Sequence, residues 1–212
     1  MAAKLPDGAI VSLYVSYDNP VPIDDISNDA TPIAICSNSF AIDDVLIIKS
    51  GWSALNDRVV VVTAANATTF TFKGVDTTET NIFPLGAGYG DAIKISSPET
   101  ITQIMGFSTN GGDQQYVTYS YLEQNFESQM PTVFSAQSLT LEIADDTSQS
   151  GYQALKFAAD ARGTRALKLA MPDGSAIYYN GYISLQESPT VTKGQVMMVK
   201  ATVSLLARLT RI

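Results

Sequence analysis

The chain has 212 residues, 45% of them hydrophobic, which suits one domain of ordinary size or one domain carrying a small insert. Only 16% are charged and the formal net charge is −8, so a phosphate-backbone interface of clustered Lys and Arg is excluded. There is no histidine and a single cysteine, Cys36. An intrachain disulfide, a Cys/His zinc site and a Ser-His-acid triad are therefore excluded as well.

The first element is a strand. From Ile10 to Tyr17, Val11, Leu13, Val15 and Tyr17 share one face, and Asp18-Asn19-Pro20 ends the run. Between about 33 and 97 the runs are short and close together: Val45 to Lys49, Arg58 to Thr63 and Thr69 to Gly74. Such spacing predicts a small β-barrel or sandwich inserted in a larger β-domain, with the only tryptophan, Trp52, as a core anchor. The longest solid apolar run, Val59 to Val62, is far short of the ~20 residues that span a membrane. No basic-apolar-small order typical of a signal peptide opens the chain, so Asn66-Ala67-Thr68 reads as an accidental glycosylation pattern.

Ile101 to Phe107 and Gln114 to Leu122 read as strands joined by Asn110-Gly111-Gly112-Asp113, a hairpin signal. Tyr116, Tyr119 and Tyr121 lie on the second of these, and with no Lys or Arg nearby they read as cross-strand packing rather than a base-stacking row. Glu123 to Ser135, polar and carrying Pro131, reads as a long loop, followed by a strand with Leu139, Leu141 and Ile143 on one face. One helix is predicted after Asp145-Asp146. Ser148 or Ser150 would cap it, Tyr152, Leu155 and Ala159 would form its apolar stripe, and Gly163 its left-handed end. Thr164 to Met171 then pairs with Ala176 to Leu185 across Pro172-Asp173-Gly174. A last long strand, Gln195 to Ala207, has Met197, Val199, Ala201, Val203, Leu205 and Ala207 on its apolar face. Its other face, with Lys200, Thr202 and Ser204, is left to water, a lumen or an outer sheet. The whole reads as mainly β, an antiparallel β-sandwich with one flanking α-helix and a small β insert.

Reactive constellations are sparse. Asp24-Asp25, Asp43-Asp44 and Asp145-Asp146 are carboxylate pairs, but neighbours on a strand face opposite ways and loop pairs are solvated or capping. Gly86-Ala87-Gly88-Tyr89-Gly90 lacks dinucleotide spacing and no helix pattern follows it. Cys36 reads as a small buried apolar residue. No catalytic, cofactor-binding or metal-binding residue is nominated.

The order Leu139-Thr140-Leu141, Gly151-Tyr152-Gln153-Ala154-Leu155, Gly163-Thr164-Arg165-Ala166, Pro172-Asp173-Gly174 and Asn180-Gly181-Tyr182-Ile183-Ser184 resembles the tail tube proteins of long flexible-tailed, lambda-like bacteriophages. Gly8 to Val15 resembles the family's first strand, and Ser120 to Glu123 the start of its long loop. On this resemblance, residues 1–17 and 99–212 form a discontinuous tail-tube core and 18–98 an insert. An extra C-terminal immunoglobulin-like domain is not expected. The resemblance implies a non-enzymatic virion protein forming stacked hexameric rings, assembled in the host cytoplasm. Its partners would be itself, a tape-measure protein and a tail terminator, with no membrane and no cofactor. Double-stranded DNA would pass through the lumen without specific binding, past a wall expected to be acidic. The loop bearing Glu123, Gln124, Asn125, Phe126, Glu127, Met130 and Pro131 would reach the next ring. It is expected to be mobile in the free subunit. The alternative is a carbohydrate- or receptor-binding β-module of a phage tail or head fibre, which an exposed Trp52 beside tyrosines would favour. A hydrolase on a β-scaffold is the remaining reading.

Overall fold

The structure, a computed structural model, describes residues 7–212. Just over half of the chain is strand and the described residues hold one helix, so the mainly-β expectation holds. In chain order the strands are β1 (Ile10–Tyr17), β2 (Val21–Ile23), β3 (Asp25–Ile26), β4 (Ile33–Ile35), β5 (Val45–Ser50), β6 (Arg58–Ala65), β7 (Thr69–Lys73) and β8 (Gly90–Ile101). They continue as β9 (Ile104–Asn110), β10 (Gln114–Tyr119), β11 (Ser128–Phe134) and β12 (Ser138–Ala144). After helix α1 (Ser150–Ala161) come β13 (Thr164–Ala170), β14 (Ala176–Thr190), β15 (Met198–Leu205) and β16 (Thr210–Arg211).

One curled antiparallel sheet runs β3-β4-β7-β6-β5-β8-β1-β13-β14-β15-β12-β9, with β2 beside β8 and β16 beside β14. Strands β10 and β11 form a separate two-stranded sheet. The long β8 joins the halves: Gly90 to Ile95 pairs with β5, and Ile95 to Ile101 pairs with β1.

The apolar pattern explains the curl. Alternating strands bury one face: Val11 and Leu13, Leu139, Leu141 and Ile143, and Val199, Ala201 and Val203 form one cluster under α1, which contributes Tyr152, Leu155 and Ala158. Strands β5 and β6 are apolar at successive positions because both of their faces are covered. Leu46, Ile48, Val60 and Val62 join Trp52, Phe70 and Phe72 inside the 18–98 segment. Val45, Ile47, Val59 and Val61 face the other way, onto Tyr14, Ala166 and Tyr178.

Several local details differ from expectation. No Ser side chain caps α1; Gln149 occupies the N-cap, and Asp146 organises the preceding turn by accepting from the Ser148 N–H and Oγ at 3.1 and 2.6 Å. The helix closes one residue early, with Arg162 rather than Gly163 in the left-handed conformation (φ 52°) and its N–H donating to Ala159 O. The last strand is shorter than Gln195 to Ala207. Met197 is exposed, and beyond Leu205 the chain turns to lay β16 against β14.

Candidate assembly surfaces

Four strands form a patch whose two faces differ. On one face Leu139, Leu141, Ile143, Val199, Ala201, Val203 and Ile183 are buried. The opposite face is set by the alternate residues, and the register aligns them into rows. Ser108, Thr140, Thr202 and Ser184 are in successive register across β9, β12, β15 and β14. Asn110, Ser138, Ser204 and Tyr182 form the row on one side of it, and Gly106, Glu142, Lys200 and Gln186 the row on the other. Lys200 Nζ donates to Glu142 Oε1 at 2.9 Å, so the charges within these rows compensate. Sequence reading singled out Lys200, Thr202 and Ser204, but it missed Ser108, Thr140 and Ser184. The alternation in Leu139 to Ile143 and in Ile183 to Leu185 carried that signal; only the register shows that the hydroxyls align.

The patch has two unpaired sides. Among the described residues no strand pairs with the outer side of β9. Strand β13 pairs with β14 only as far as Tyr182, so Ile183 to Thr190 has β15 on one side and, among the described residues, no strand on the other.

The hairpin signal at Asn110 to Asp113 does not join β9 to β10. Strand β9 pairs with β12 and β10 pairs with β11, so the glycines form the corner where the chain leaves the main sheet. Gly111 has φ 78°, and a Cβ there would lie 2.0 Å from Ala136 O, so backbone meets backbone at this corner. Asp113 N–H donates to Ser135 Oγ at 3.0 Å and Ser135 N–H to Asp113 O at 2.8 Å, closing the foot of the β10–β11 hairpin.

The stretch read as a loop thus contains β11. Glu123, Gln124, Asn125, Phe126 and Glu127 occupy the turn of this hairpin, while Met130 and Pro131 are on β11; all seven are exposed. The tyrosines are less packed than expected: Tyr116 and Tyr121 are about 60% exposed, and Tyr119 meets Tyr121 edge-to-face at 5.7 Å. Val117, Leu122, Phe126 and Val133 are also exposed, giving an apolar hairpin that the monomer leaves uncovered.

Other singled-out residues have structural places. Trp52 is 1% exposed, with Nε1 donating to Pro84 O at 2.7 Å and its ring edge-on to Phe83, so it offers no sugar platform. Cys36 is buried. Asp44 pairs with Lys94 at 2.7 Å. Among the described residues no group of three acidic or sulfur ligands could hold a metal, and no helix is long and apolar enough to cross a membrane.

An uncovered apolar hairpin, open sheet edges and a hydroxyl-rich face are surfaces that the single chain leaves without a partner. The sequence profile of the phage tail tube protein family matches residues 50–212. The chain belongs to that family: it is a structural tail tube protein, a component of the virion tail. The match begins inside the 18–98 segment and takes in β6, β7 and β8. No curated protein matches the chain.

Proposed function

We propose that the chain closes into hexameric rings whose stacking builds the tube of a long flexible tail. The observation that carries this is the four-stranded patch with unpaired sides at β9 and at Ile183 to Thr190. Open edges are a liability unless a neighbour pairs with them. An edge-to-edge contact between different sides of the patch repeats around an axis, and closes when the rotation allows. The patch would then become one segment of a continuous barrel, its apolar face against the core and α1, its hydroxyl face toward the lumen.

Double-stranded DNA leaves the capsid through this lumen without specific binding. The Glu142–Lys200 pair compensates the charges within the rows, so low friction comes from short neutral hydroxyls rather than from excess acid at these positions. The β10–β11 hairpin carries the contact to the next ring through Glu123, Gln124, Asn125, Phe126, Glu127, Met130 and Pro131. Residues 18–98 form the inserted subdomain, at the opposite end of the sheet order from β9. Assembly takes place in the host cytoplasm around a tape-measure protein and stops at a tail terminator.

Negative-stain electron microscopy of the purified chain over a range of concentrations, with sedimentation, tests the reading. Hollow rings or tubes of constant width support it. Absence of the protein from the tails of intact virions overturns it. Deleting Asn125 to Thr132 and still recovering normal-length tubes removes the role of the hairpin.

A further inference from the structure

A cleft of about 1180 Å³ separates the foot of the hairpin from the 18–98 segment and the stretch that leads into β16. Two arginines, Arg58 of β6 and Arg208, line it. Arg58 Nη2 donates to Gly74 O at 3.3 Å and to Leu209 O at 3.2 Å, while its Nε is buried without an acceptor. Arg208 lies over the Phe134 ring, 4.6 Å from its centroid. Neither guanidinium makes an ion pair among the described residues.

Neither nearby carboxylate makes an ion pair with Arg58 or Arg208. Asp57 accepts from Lys49 and, at 2.9 Å, from Asn56. Asp76, on the cleft wall, accepts from the Thr78 N–H and Oγ at 3.0 and 2.7 Å. Burial, and then the charge of Arg208, push the Arg58 pKa down to about 10, which leaves it cationic at neutral pH. Two cations on one cleft, one of them half-buried with its Nε unpaired, would be stabilised by a further anion.

The opposite end of the same hairpin supplies that chemistry. Glu123 and Glu127 are exposed in the turn and make no ion pair among the described residues. Strand β10 has six residues, a length of about 20 Å, so the turn stands well away from its own foot. The turn of a second copy is free to meet that foot, and such a tip-to-foot contact repeats from copy to copy as stacking requires.

We propose that the Arg58–Arg208 cleft receives the Glu123 and Glu127 carboxylates of a second copy of this chain in the next ring. The inference rests on the tube reading and names the partner of the hairpin. Guanidinium and carboxylate form short charge-assisted hydrogen bonds, and their planar geometry fixes the rotation of one ring on the next.

Charge reversal tests it. R208E and E127R each change one exposed side chain; R208E also gives up the stacking of Arg208 on Phe134, so thermal unfolding of both is measured against the parent and assembly is compared where all are folded. Each should raise the concentration needed for tubes by at least about ten-fold. The double variant E127R/R208E, which exchanges one carboxylate and one guanidinium across the contact and leaves Glu123 to meet Arg58, should recover tubes. If the parent forms tubes and both single-sided variants assemble equally well, the pairing is wrong and the tube reading stands. If both lose tubes and E127R/R208E does not recover them, the groups matter but do not meet each other, and the pairing is again wrong. A parent chain absent from virion tails overturns the tube reading, and this inference falls with it.

Discussion

Gly181→Ala is a small change with a large expected effect. Gly181 lies in β14 with β13 on one side, opposite Arg165, and β15 on the other, opposite Leu205. A Cβ at this position would lie 2.3 Å from Ser204 O, 2.9 Å from Ser204 C and 3.1 Å from Leu205 Cα. All three are backbone atoms, so no side chain can swing aside. Ordinary contact begins near 3.4 Å, so β15 must give way by about an ångström. That displacement weakens one or two ladder hydrogen bonds between buried groups, at about 1–3 kcal/mol each. Alanine also restricts the unfolded chain, which returns about 0.4–1 kcal/mol. The net expectation is a loss near the middle of the resulting range, about 2–3 kcal/mol, and at most about 5 kcal/mol. With a urea m-value of about 2–3 kcal/mol per M, the midpoint should fall by about 1 M. Trp52, the only tryptophan, is buried in the 18–98 segment and reports the transition by fluorescence; circular dichroism reports the sheet as a whole. A midpoint equal to or above the parent's would refute the argument from close approach. Transitions at two different urea concentrations would refute unfolding as one unit.

Leu141→Ala, at a position with no exposed surface between the lumen-candidate strands and α1, should cost about 2–5 kcal/mol in the same assay. The Asp146 carboxyl is held down at about 2, first by the hydrogen bond from the Ser148 hydroxyl, then by those from the Gln149 side chain and the Ser148 N–H. Its stabilisation is present above the ordinary carboxyl pKa and is lost as pH falls through the folded-state value. Stability should therefore fall between about pH 4 and pH 2, and Asp146→Asn should flatten that slope in acid titrations of the urea midpoint. Desolvation raises the Cys36 thiol pKa, and the side chain is buried. A thiol reagent at pH 8 should label the native chain only as fast as the protein opens, and promptly in denaturant.

The legible parts of the fold were those decided by local pattern. The strand at Ile10 to Tyr17, the helix at Tyr152 to Ala159 and the Pro172-Asp173-Gly174 turn each have a period or turn residue of their own. The runs at Val45 to Ile48 and Val59 to Val62 marked strands, and their lack of alternation reflects burial on both faces. What escaped was partnership at a distance. Asn110-Gly111-Gly112-Asp113 has hairpin chemistry, yet β9 finds β12, because Phe107 and Ile104 align with Leu141 and Ile143 over the core. The polar residues of 123–135 concealed β11, whose partner is β10 rather than the main sheet. Tyr116, Tyr119 and Tyr121 read as packing because one chain gives no sign of a surface reserved for another. The resemblance named Glu123 to Pro131 as a contact; Arg58 and Arg208, far apart in sequence, come together only in the fold.

Strand β1 also has consequences for the order in which the molecule becomes competent. It is made first, but its neighbours are β8 and β13, and the Thr164–Ala170 segment emerges only after most of the chain. At about 5–20 residues per second that wait is on the order of ten seconds or more. Pairings between such distant segments also form slowly once the chain is free. The edge at β9 is synthesised well before the edge at Ile183 to Thr190, so under the proposed ring contact the two sides of the patch become available at different times.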